Sequence, residues 1–389
     1  MAVSKLTLPD VAASARSLFP AIRARAVEAE RDRHIPDDSV RDYVDAGLVR
    51  TLVPKRWGGN ELPFSTALDV AIEIGRACGS TGWVMSYYTD HAYLVALYPE
   101  QAQRDVWSAG PDAKISTSFV PTGKVTTVDG GYRLRGRYPW ASGVRHADWM
   151  IAGGLIHGGD HPEFRLFLIP RSDYSIVDVW HNAGLSATGS DDVVFDDVFV
   201  PEHRSVVMET MREGRSPGAA VNAHPMYAVP LVGIAAYAIL GPAIGIARGG
   251  VEAWTEFARK KVHSYTREQM AASVTLQIRL AEIDADIDAA ELLVRRAIGI
   301  VETWQPLSLE MRVRNRRDFT RALRMLASAM DRLLLAGGAS GLLESSPVQR
   351  AWRDVNAIST HVAVNFEAAG ENYGRMALGL PLNPNDPFF

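Results

Sequence analysis

The side chains best able to do chemistry in this sequence are a serine followed by glycine, Ser142-Gly143, and two histidines, His91 and His361. Glycine lets the backbone approach a ligand closely, and a serine hydroxyl beside it can donate or accept a hydrogen bond. Histidine can take or give a proton near neutral pH. Each residue also has an ordinary explanation, because Ser-Gly is common in turns and a single helical histidine is more often a hydrogen-bonded structural residue. The surrounding segments decide between these interpretations.

Two longer segments contain or follow these residues. Ser142 lies in the run Trp140 to Gly143, and the C-terminal part has a glycine-rich run from Gly337 to Gly341 followed by Arg350 and Arg353-Asp354. The C-terminal pattern resembles the acyl-CoA dehydrogenase superfamily, in which a glycine-rich turn and the next helix help to bind the phosphates and sugar of a flavin. The first segment resembles the part of group D two-component flavin-dependent monooxygenases that meets the flavin ring. These are the oxygenase components of aromatic hydroxylases, such as 4-hydroxyphenylacetate 3-hydroxylase and the steroid-catabolic phenol hydroxylases.

His361 and Val362 stand where most acyl-CoA dehydrogenases offer a glutamate, the base that removes the substrate α-proton. Valine cannot take that proton. The resemblance therefore implies a kept fold and a changed reaction, in which His361 is a catalytic histidine that either deprotonates a phenol or holds the phenolate. We expect His361 on the helix that follows Arg353-Asp354; the alternative is a histidine hydrogen-bonded within the helical bundle. Some members of the superfamily recruit their base from another helix, so a dehydrogenase stays open.

The resemblance also implies roles around a flavin ring. The Ser142 hydroxyl would bind flavin N5, and His91 corresponds by spacing to a histidine of the substrate pocket of aromatic hydroxylases. Further predicted cofactor contacts are Trp83, Ser116, Thr117 and Trp140. The alternative for Ser116 and Thr117 is packing, because hydroxyl residues in strands usually serve the sheet.

A second set of predicted cofactor residues lies in the C-terminal half. Gly338 and Gly341 belong to the glycine-rich run, and Arg259 begins a basic segment that in the superfamily reaches the flavin of a neighbouring subunit. A cation suits a flavin phosphate because charge-assisted hydrogen bonds are strong. The alternative for Arg259 is a basic helix end that complements the helix dipole. The resemblance also implies a homotetramer, assembled through the C-terminal bundle.

The apolar pattern predicts the elements that must position these residues. Residues 1–110 are predicted to be helical, with helices near 36–47 and 65–78 and a third one capped by Ser80-Thr81-Gly82. Residues 111–216 alternate in short runs, which predicts an antiparallel β-barrel or sandwich. Residues 217–389 contain four long amphipathic stretches, near 228–262, 267–305, 311–337 and 347–376, which predict a four-helix bundle. This α+β, mainly helical order matches the acyl-CoA dehydrogenase architecture.

Composition limits the other possibilities. The formal net charge is −4, so binding to nucleic acid, which needs many Lys and Arg contacts, is not expected. The single cysteine, Cys78, excludes an intramolecular disulfide and fits a reducing, cytoplasmic compartment. No segment is expected to span a membrane. The acidic run from Glu282 to Glu291 lacks the Glu-x-x-His pairs of a di-metal bundle, so we expect a solvated helix face and no metal.

Together these features favour a reduced-flavin-dependent monooxygenase. The chain has no recognisable nicotinamide-binding motif, so such an enzyme would receive FMNH2 or FADH2 from a separate NAD(P)H-dependent flavin reductase. With O2 as cosubstrate it would form a C4a-hydroperoxyflavin and hydroxylate an aromatic, phenolic small molecule in a closed apolar pocket. The alternatives are an N- or S-oxygenase on the same fold, an acyl-CoA dehydrogenase or oxidase, and a non-catalytic bundle that binds no flavin.

Overall fold

The computed structural model describes residues 8–158, 161–262, 267–384 and 386. The first helices in the chain are α1 (Leu8–Asp32), α2 (Asp37–Asp45), α3 (Phe64–Ala77), α4 (Gly79–Ala96) and α5 (Glu100–Trp107). Two glycines lie where α3 meets α4, and a Cβ at Gly82 would come within 2.5 Å of the Gly75 Cα. Glycine at both positions lets the two helices approach closely.

Helix α4 is buried on almost every face, and Tyr87 is the one residue of its 18 that is partly exposed. Its start differs from the prediction. The helix begins at Gly79, after Cys78, and Cys78 provides no side-chain cap. Ser80 lies within the first turn, where its hydroxyl accepts the N–H of Ala187 at 3.2 Å. Ser80 therefore ties α4 to the β-region instead of closing the helix end.

Strands follow in the middle of the chain and form two four-stranded sheets. They are β1 (Ile115–Ser118), β2 (Lys124–Val128), β3 (Gly131–Ala141), β4 (Trp149–Ile156), β5 (Glu163–Pro170), β6 (Ser175–Val177), β7 (Asp191–Pro201) and β8 (Ser205–Val207). The sheet orders are β1-β4-β5-β8 and β2-β3-β7-β6. The predicted hairpin of β2 and β3 is present. The prediction of a wholly antiparallel domain is wrong, because β1 pairs with β4 in parallel after the chain has crossed to the other sheet and back.

The packing between the sheets fixes the end of β3. Buried residues of β3, Leu134 and Tyr138 among them, join Phe167 and Phe195 in an apolar core. Ser142 follows directly after this strand. Because the strand is held by its buried side chains, the residues that come after it leave the sheet at a fixed point.

The C-terminal region is helical, as predicted, but the fourth predicted helix is broken in two. The helices are α6 (Met208–Arg212), α7 (Pro217–Val221), α8 (Tyr237–Lys260), α9 (Val274–Val301), α10 (Leu309–Ala336), α11 (Gly338–Gly341), α12 (Pro347–Ser359) and α13 (Phe366–Ala377). The prediction that His361 lies on a helix is wrong, since it lies between α12 and α13. The side chains of His361 and Asn365 accept the backbone N–H groups of Ala363 and Ala368, so side-chain caps replace the hydrogen bonds of a continuous helix.

Contrary to the prediction that no segment spans a membrane, one stretch, Leu231–Lys260, has the length and apolar composition needed to cross one. Of its apolar window, 83% is buried inside the protein, as in the core helix of a folded domain. Helix α8, which makes up most of this stretch, packs against α3, α4 and α12. It therefore joins the N-terminal helices to the C-terminal ones.

Candidate active site

Trp83, Tyr87 and His91 form a row of rings on one face of α4, because residues four apart in a helix are neighbours. The ring centroids of Trp83 and Tyr87 are 4.8 Å apart, and those of Tyr87 and His91 are 4.9 Å apart. At the other end of the row the Trp83 ring makes an edge contact with His361 at 5.9 Å. The two predicted catalytic histidines are thus joined through Trp83 and Tyr87, although they lie far apart in the sequence.

Ser142 lies in a strained turn that is pressed against α4. Trp140 has a φ of +63° and Gly143 a φ of +68°, the left-handed region that a bulky residue such as tryptophan seldom adopts. The Gly143 carbonyl accepts the Tyr88 hydroxyl at 2.6 Å, and the Trp83 indole N–H donates to Ser142 Oγ at 3.1 Å. A Cβ at Gly143 would come within 2.7 Å of the Tyr88 hydroxyl oxygen. Only glycine permits this approach. Trp140, three residues earlier, is 62% exposed.

Strand β1 brings one hydroxyl, that of Ser116, close to Ser142 and another, that of Thr117, close to His91. Ser116 is fully buried, and its Oγ donates to the Ser142 carbonyl at 2.8 Å, so it supports the Ser142 turn from behind. Thr117 is partly exposed, and its Oγ1 lies 3.1 Å from His91 Nε2. Of the two, Thr117 is the better placed to meet a ligand.

His91 is buried, and both of its ring nitrogens have partners. Nδ1 lies 2.8 Å from the Ile115 carbonyl, which can only accept, so Nδ1 carries the proton of the neutral ring. Nε2 is then an acceptor for the Thr117 hydroxyl. Burial lowers the pKa of His91 to about 4, because the charged ring would lose its hydration. At neutral pH His91 is therefore uncharged and presents an acceptor toward Thr117.

His361 has the opposite polarity. Its Nδ1 accepts the backbone N–H of Ala363 at 3.2 Å, so the neutral ring carries its proton on Nε2. Burial lowers the pKa of His361 to about 4, although part of the residue stays exposed. A neutral His361 is therefore a hydrogen-bond donor through Nε2–H. This polarity follows from the helix break, which the sequence did not reveal.

Two buried hydroxyls behind Ser142 were not predicted as site residues. Ser190 Oγ lies 2.7 Å from Ser142 Oγ, and Thr188 Oγ1 lies 2.7 Å from Ser190 Oγ. Both residues are buried. Their segment has the glycine and aspartate residues of an ordinary strand connection, so no local pattern distinguishes them from structural residues.

The remaining predicted cofactor residues, Gly338, Gly341 and Arg259, lie on two elements that meet each other. Gly338 has a φ of +58° and opens α11, and Ser340 of α11 lies 3.4 Å from the ammonium group of Lys261 at the basic end of α8. Arg259, nearby in α8, is exposed. Across the described ranges, no hydrogen bond or ring contact joins this pair of elements to Ser142.

The charged residues of the C-terminal pattern, Arg350, Arg353 and Asp354, hold helices together. Arg350 and Arg353 both pair with Glu30 of α1. Asp354 is buried and accepts the N–H of Leu185 at 2.7 Å. Burial raises the pKa of Asp354 to about 6. These contacts fasten α12 to α1 and to the segment that leads into β7.

Comparisons with known proteins give matches along almost the whole chain. Residues 11–110 match the family model of the acyl-CoA dehydrogenase N-terminal domain, and residues 237–366 match that of the acyl-CoA dehydrogenase C-terminal domain. The chain is 38% identical over 372 residues to the flavin-dependent monooxygenase, oxygenase subunit HsaA, of Rhodococcus jostii, which covers 94% of this chain and 97% of the relative. It is 33% identical over 373 residues to the oxygenase component of an FADH2-dependent resorcinol hydroxylase of a Rhizobium species, covering 92% and 91%.

Among solved structures, XiaF from a Streptomyces species in complex with FADH2 and glycerol superposes with a TM-score of 0.89 at 28% identity and covers 97% of each chain. The similarity is therefore not confined to one region, and the predicted acyl-CoA dehydrogenase-like fold and monooxygenase activity are confirmed. The chain belongs to the oxygenase components of two-component flavin-dependent aromatic hydroxylases, which are built on the acyl-CoA dehydrogenase fold.

Proposed function

We propose that this enzyme uses reduced flavin and O2 to hydroxylate a small phenolic compound at a ring carbon. The supporting observation is the pair of oppositely polarised histidines at the two ends of the ring row. His91, reached through Thr117, presents an acceptor at Nε2, and His361, whose Nδ1 accepts the Ala363 N–H, presents a donor at Nε2–H. A phenol needs both, because it gives up its O–H proton as the ring attacks an electrophilic oxygen, while the oxygen atom that leaves must be stabilised. N- or S-oxygenation has no phenolic proton to accept.

The residues around Ser142 fit a flavin ring. Trp140 offers an exposed aromatic surface at a strained backbone angle, and strain of this kind persists where a ligand site requires it. Ser142, two residues further on, is partly exposed and accepts a hydrogen bond from Trp83, whose ring contacts His361. Aromatic faces with a few convergent polar groups suit a flat ring with a polar edge. Bound in its reduced form, a flavin supplies the activation of O2.

Thr117 is the group through which the buried His91 would meet the substrate. Its hydroxyl donates to His91 Nε2 and keeps a lone pair that can accept the phenolic O–H. Complete transfer of that proton beforehand is disfavoured: from a phenol with a pKa of about 10 to an imidazole with a pKa of about 4, it would cost about 8 kcal/mol. We therefore propose that the proton moves through Thr117 toward His91 while the new C–O bond forms.

His361 would act as a donor at the other end of the row. Of the two roles predicted from the resemblance, holding an anion fits its tautomer better than taking a proton. Its Nδ1 is occupied by the N–H of Ala363, and its Nε2 already carries the ring proton. His361 contacts Trp83, which in turn donates to Ser142, and this proximity supports a role for Nε2–H as donor to the oxygen atom that leaves during transfer.

A separate NAD(P)H-dependent flavin reductase would supply the reduced flavin to this oxygenase component. We also propose a cytoplasmic homotetramer. Large apolar side chains of the C-terminal region stay exposed in the single chain, including Leu335, Leu342 and Leu378, and exposed apolar patches mark contacts between subunits. Such contacts would let Arg259 and the glycine-rich α11 serve the flavin phosphates of a neighbouring subunit.

The test is the fate of oxygen in the presence of a phenol. Purified protein is mixed without air with photoreduced FMN or FAD and then with aerated buffer that contains one phenol from a panel including resorcinol. Hydroxylated product and hydrogen peroxide are both measured. The proposal predicts that a phenolic substrate diverts O2 from peroxide to product, whereas its fully O-methylated ether, which lacks any O–H proton, does not. Equal peroxide release with phenol and ether throughout the panel would overturn it.

A further inference from the structure

A row of hydroxyl groups leads from the candidate flavin edge into the interior of the protein. Ser142 Oγ lies 2.7 Å from Ser190 Oγ, which lies 2.7 Å from Thr188 Oγ1. Ser142 is partly exposed, whereas Ser190 and Thr188 keep 4% and 1% of their surface. The outer hydroxyl can meet a ligand and the inner two cannot.

The inner end of the row sets the direction of its hydrogen bonds. Thr188 Oγ1 donates to the Leu185 carbonyl at 3.0 Å. The Leu185 carbonyl also accepts Trp180 Nε1–H at 2.9 Å and the Thr188 backbone N–H at 3.1 Å. Asp354 accepts the Leu185 N–H at 2.7 Å. A hydroxyl has one proton, so while Thr188 donates to this carbonyl, Ser190 donates to Thr188. The reverse direction would leave the Thr188 and Leu185 oxygens in contact with no proton between them.

The direction at the inner end also determines which way the Ser142 hydroxyl donates. Because the Ser190 proton is directed to Thr188, the Ser142 hydroxyl must donate to Ser190. The Trp83 indole N–H, which can only donate, occupies one lone pair of Ser142 Oγ. Ser142 is left with one open lone pair and no free proton. Toward a ligand it is an acceptor only.

The two oxidation states of a flavin differ at the atom that Ser142 would face. N5 of the reduced ring carries a hydrogen and donates, whereas N5 of the oxidised ring has a lone pair and accepts. We infer that Thr188 and Ser190 are positioning residues that hold the Ser142 hydroxyl as an acceptor, so that the site selects reduced flavin against oxidised flavin. The inference rests on the proposed function, since it takes Ser142 to face N5. It also accounts for the release of oxidised flavin after the reaction, because N5 of the oxidised ring would face a lone pair of Ser142 Oγ, to which reduced N5–H would donate.

The test compares the affinities for oxidised and reduced flavin in variants of Ser190 and Thr188. Ser190→Ala removes the group to which Ser142 donates, so the Ser142 proton becomes free to bond N5 of oxidised flavin. We expect the Kd for oxidised FMN to fall about five- to tenfold, the effect of one net hydrogen bond. The Kd for photoreduced FMN should stay within about twofold of wild type. Oxidised FMN is titrated by fluorescence quenching and reduced FMN by calorimetry without air.

Thr188 gives a matched pair of variants. Thr188→Val removes the inner acceptor and should act like Ser190→Ala, whereas Thr188→Ser keeps the hydroxyl and should behave as wild type. A second readout is the midpoint potential of bound FMN, which should fall by about 30 mV for a tenfold change in the ratio of the two dissociation constants. Thermal melting establishes that each variant is folded, and Ser190→Ala decides the matter by itself if Thr188→Val does not fold.

A ratio of dissociation constants within about twofold of wild type in Ser190→Ala, with wild-type protein that binds FMN, would overturn the inference and leave the proposed function standing. Wild-type protein that binds neither form of FMN nor of FAD would overturn the proposed function itself. The two failures are therefore distinguishable in one set of titrations.

Discussion

Replacing Gly143 by alanine tests whether the Ser142 turn depends on its close contact with α4. Gly143 has a φ of +68°, and a Cβ there would lie 2.6 Å from Val84 Cγ1 and 2.7 Å from the Tyr88 hydroxyl oxygen. The left-handed angle costs an alanine about 1 kcal/mol, and the collision with two buried side chains adds about 1–3 kcal/mol. We expect the free energy of unfolding to fall by about 2–4 kcal/mol. Because the turn must move, the affinity for reduced flavin should fall as well.

Gly130→Ala is the matched control. Gly130, in the turn between β2 and β3, has a similar φ of +76°, but a Cβ there would meet nothing within 4 Å. It should lose about 1 kcal/mol and keep its flavin affinity. Urea denaturation followed by tryptophan fluorescence measures the stabilities, and titration with photoreduced FMN measures the binding. Equal losses of stability in the two variants, or unchanged FMN binding in Gly143→Ala, would show that the Ser142 turn does not depend on this contact.

Four further variants test the histidines and the buried carboxyl. His361→Asn keeps an oxygen able to accept the N–H of Ala363, so it should fold like wild type yet lose product formation about tenfold or more, whereas His361→Ala should also lose about 1 kcal/mol of stability; product yield and urea denaturation separate these effects. Burial lowers the pKa of His91 from 6.5 to about 4, so protons bind the unfolded state first, and the free energy of unfolding should drop by up to about 3 kcal/mol as pH falls through that window. His91→Asn, which retains a donor for the Ile115 carbonyl, should lack this loss. Burial raises the pKa of Asp354 from 3.8 to about 6, so its contribution is lost as pH rises through that range, and Asp354→Asn should gain up to about 3 kcal/mol relative to wild type between pH 4 and pH 7. A pH-independent difference between either variant and wild type, from denaturation at a series of pH values, would contradict the assignment.

The parts of the fold that depend on local pattern were predictable. The β2–β3 hairpin follows from short alternating runs on either side of Asp129-Gly130, and the long helices follow from their apolar periodicity. The Ser142-Gly143 pair was recognisable because close backbone approach requires glycine, and the structure indeed presses Gly143 against Tyr88. Local chemistry that acts on the backbone leaves a signature in the sequence.

Features that depend on distant partners could not be predicted. The break between α12 and α13 contains neither proline nor glycine, and it is made by the side chains of His361 and Asn365, which accept backbone N–H groups. The tautomer of His361, and hence its role, follows from that break. Likewise Ser190 matters only because the pairing of β3 with β7 ends where Ser142 begins. No pattern within either segment records this contact.

The central claim is that this fold activates O2 on a reduced flavin and transfers one oxygen atom to a phenol. The most direct measurement is the mass of the product formed from photoreduced flavin, the purified chain and a phenolic substrate under isotopically labelled O2, without a reductase. We expect the new hydroxyl to carry the label and an acyl-CoA to leave the oxidised flavin-loaded protein unreduced. An unlabelled or absent hydroxylated product, together with bleaching of the bound flavin by an acyl-CoA, would contradict it.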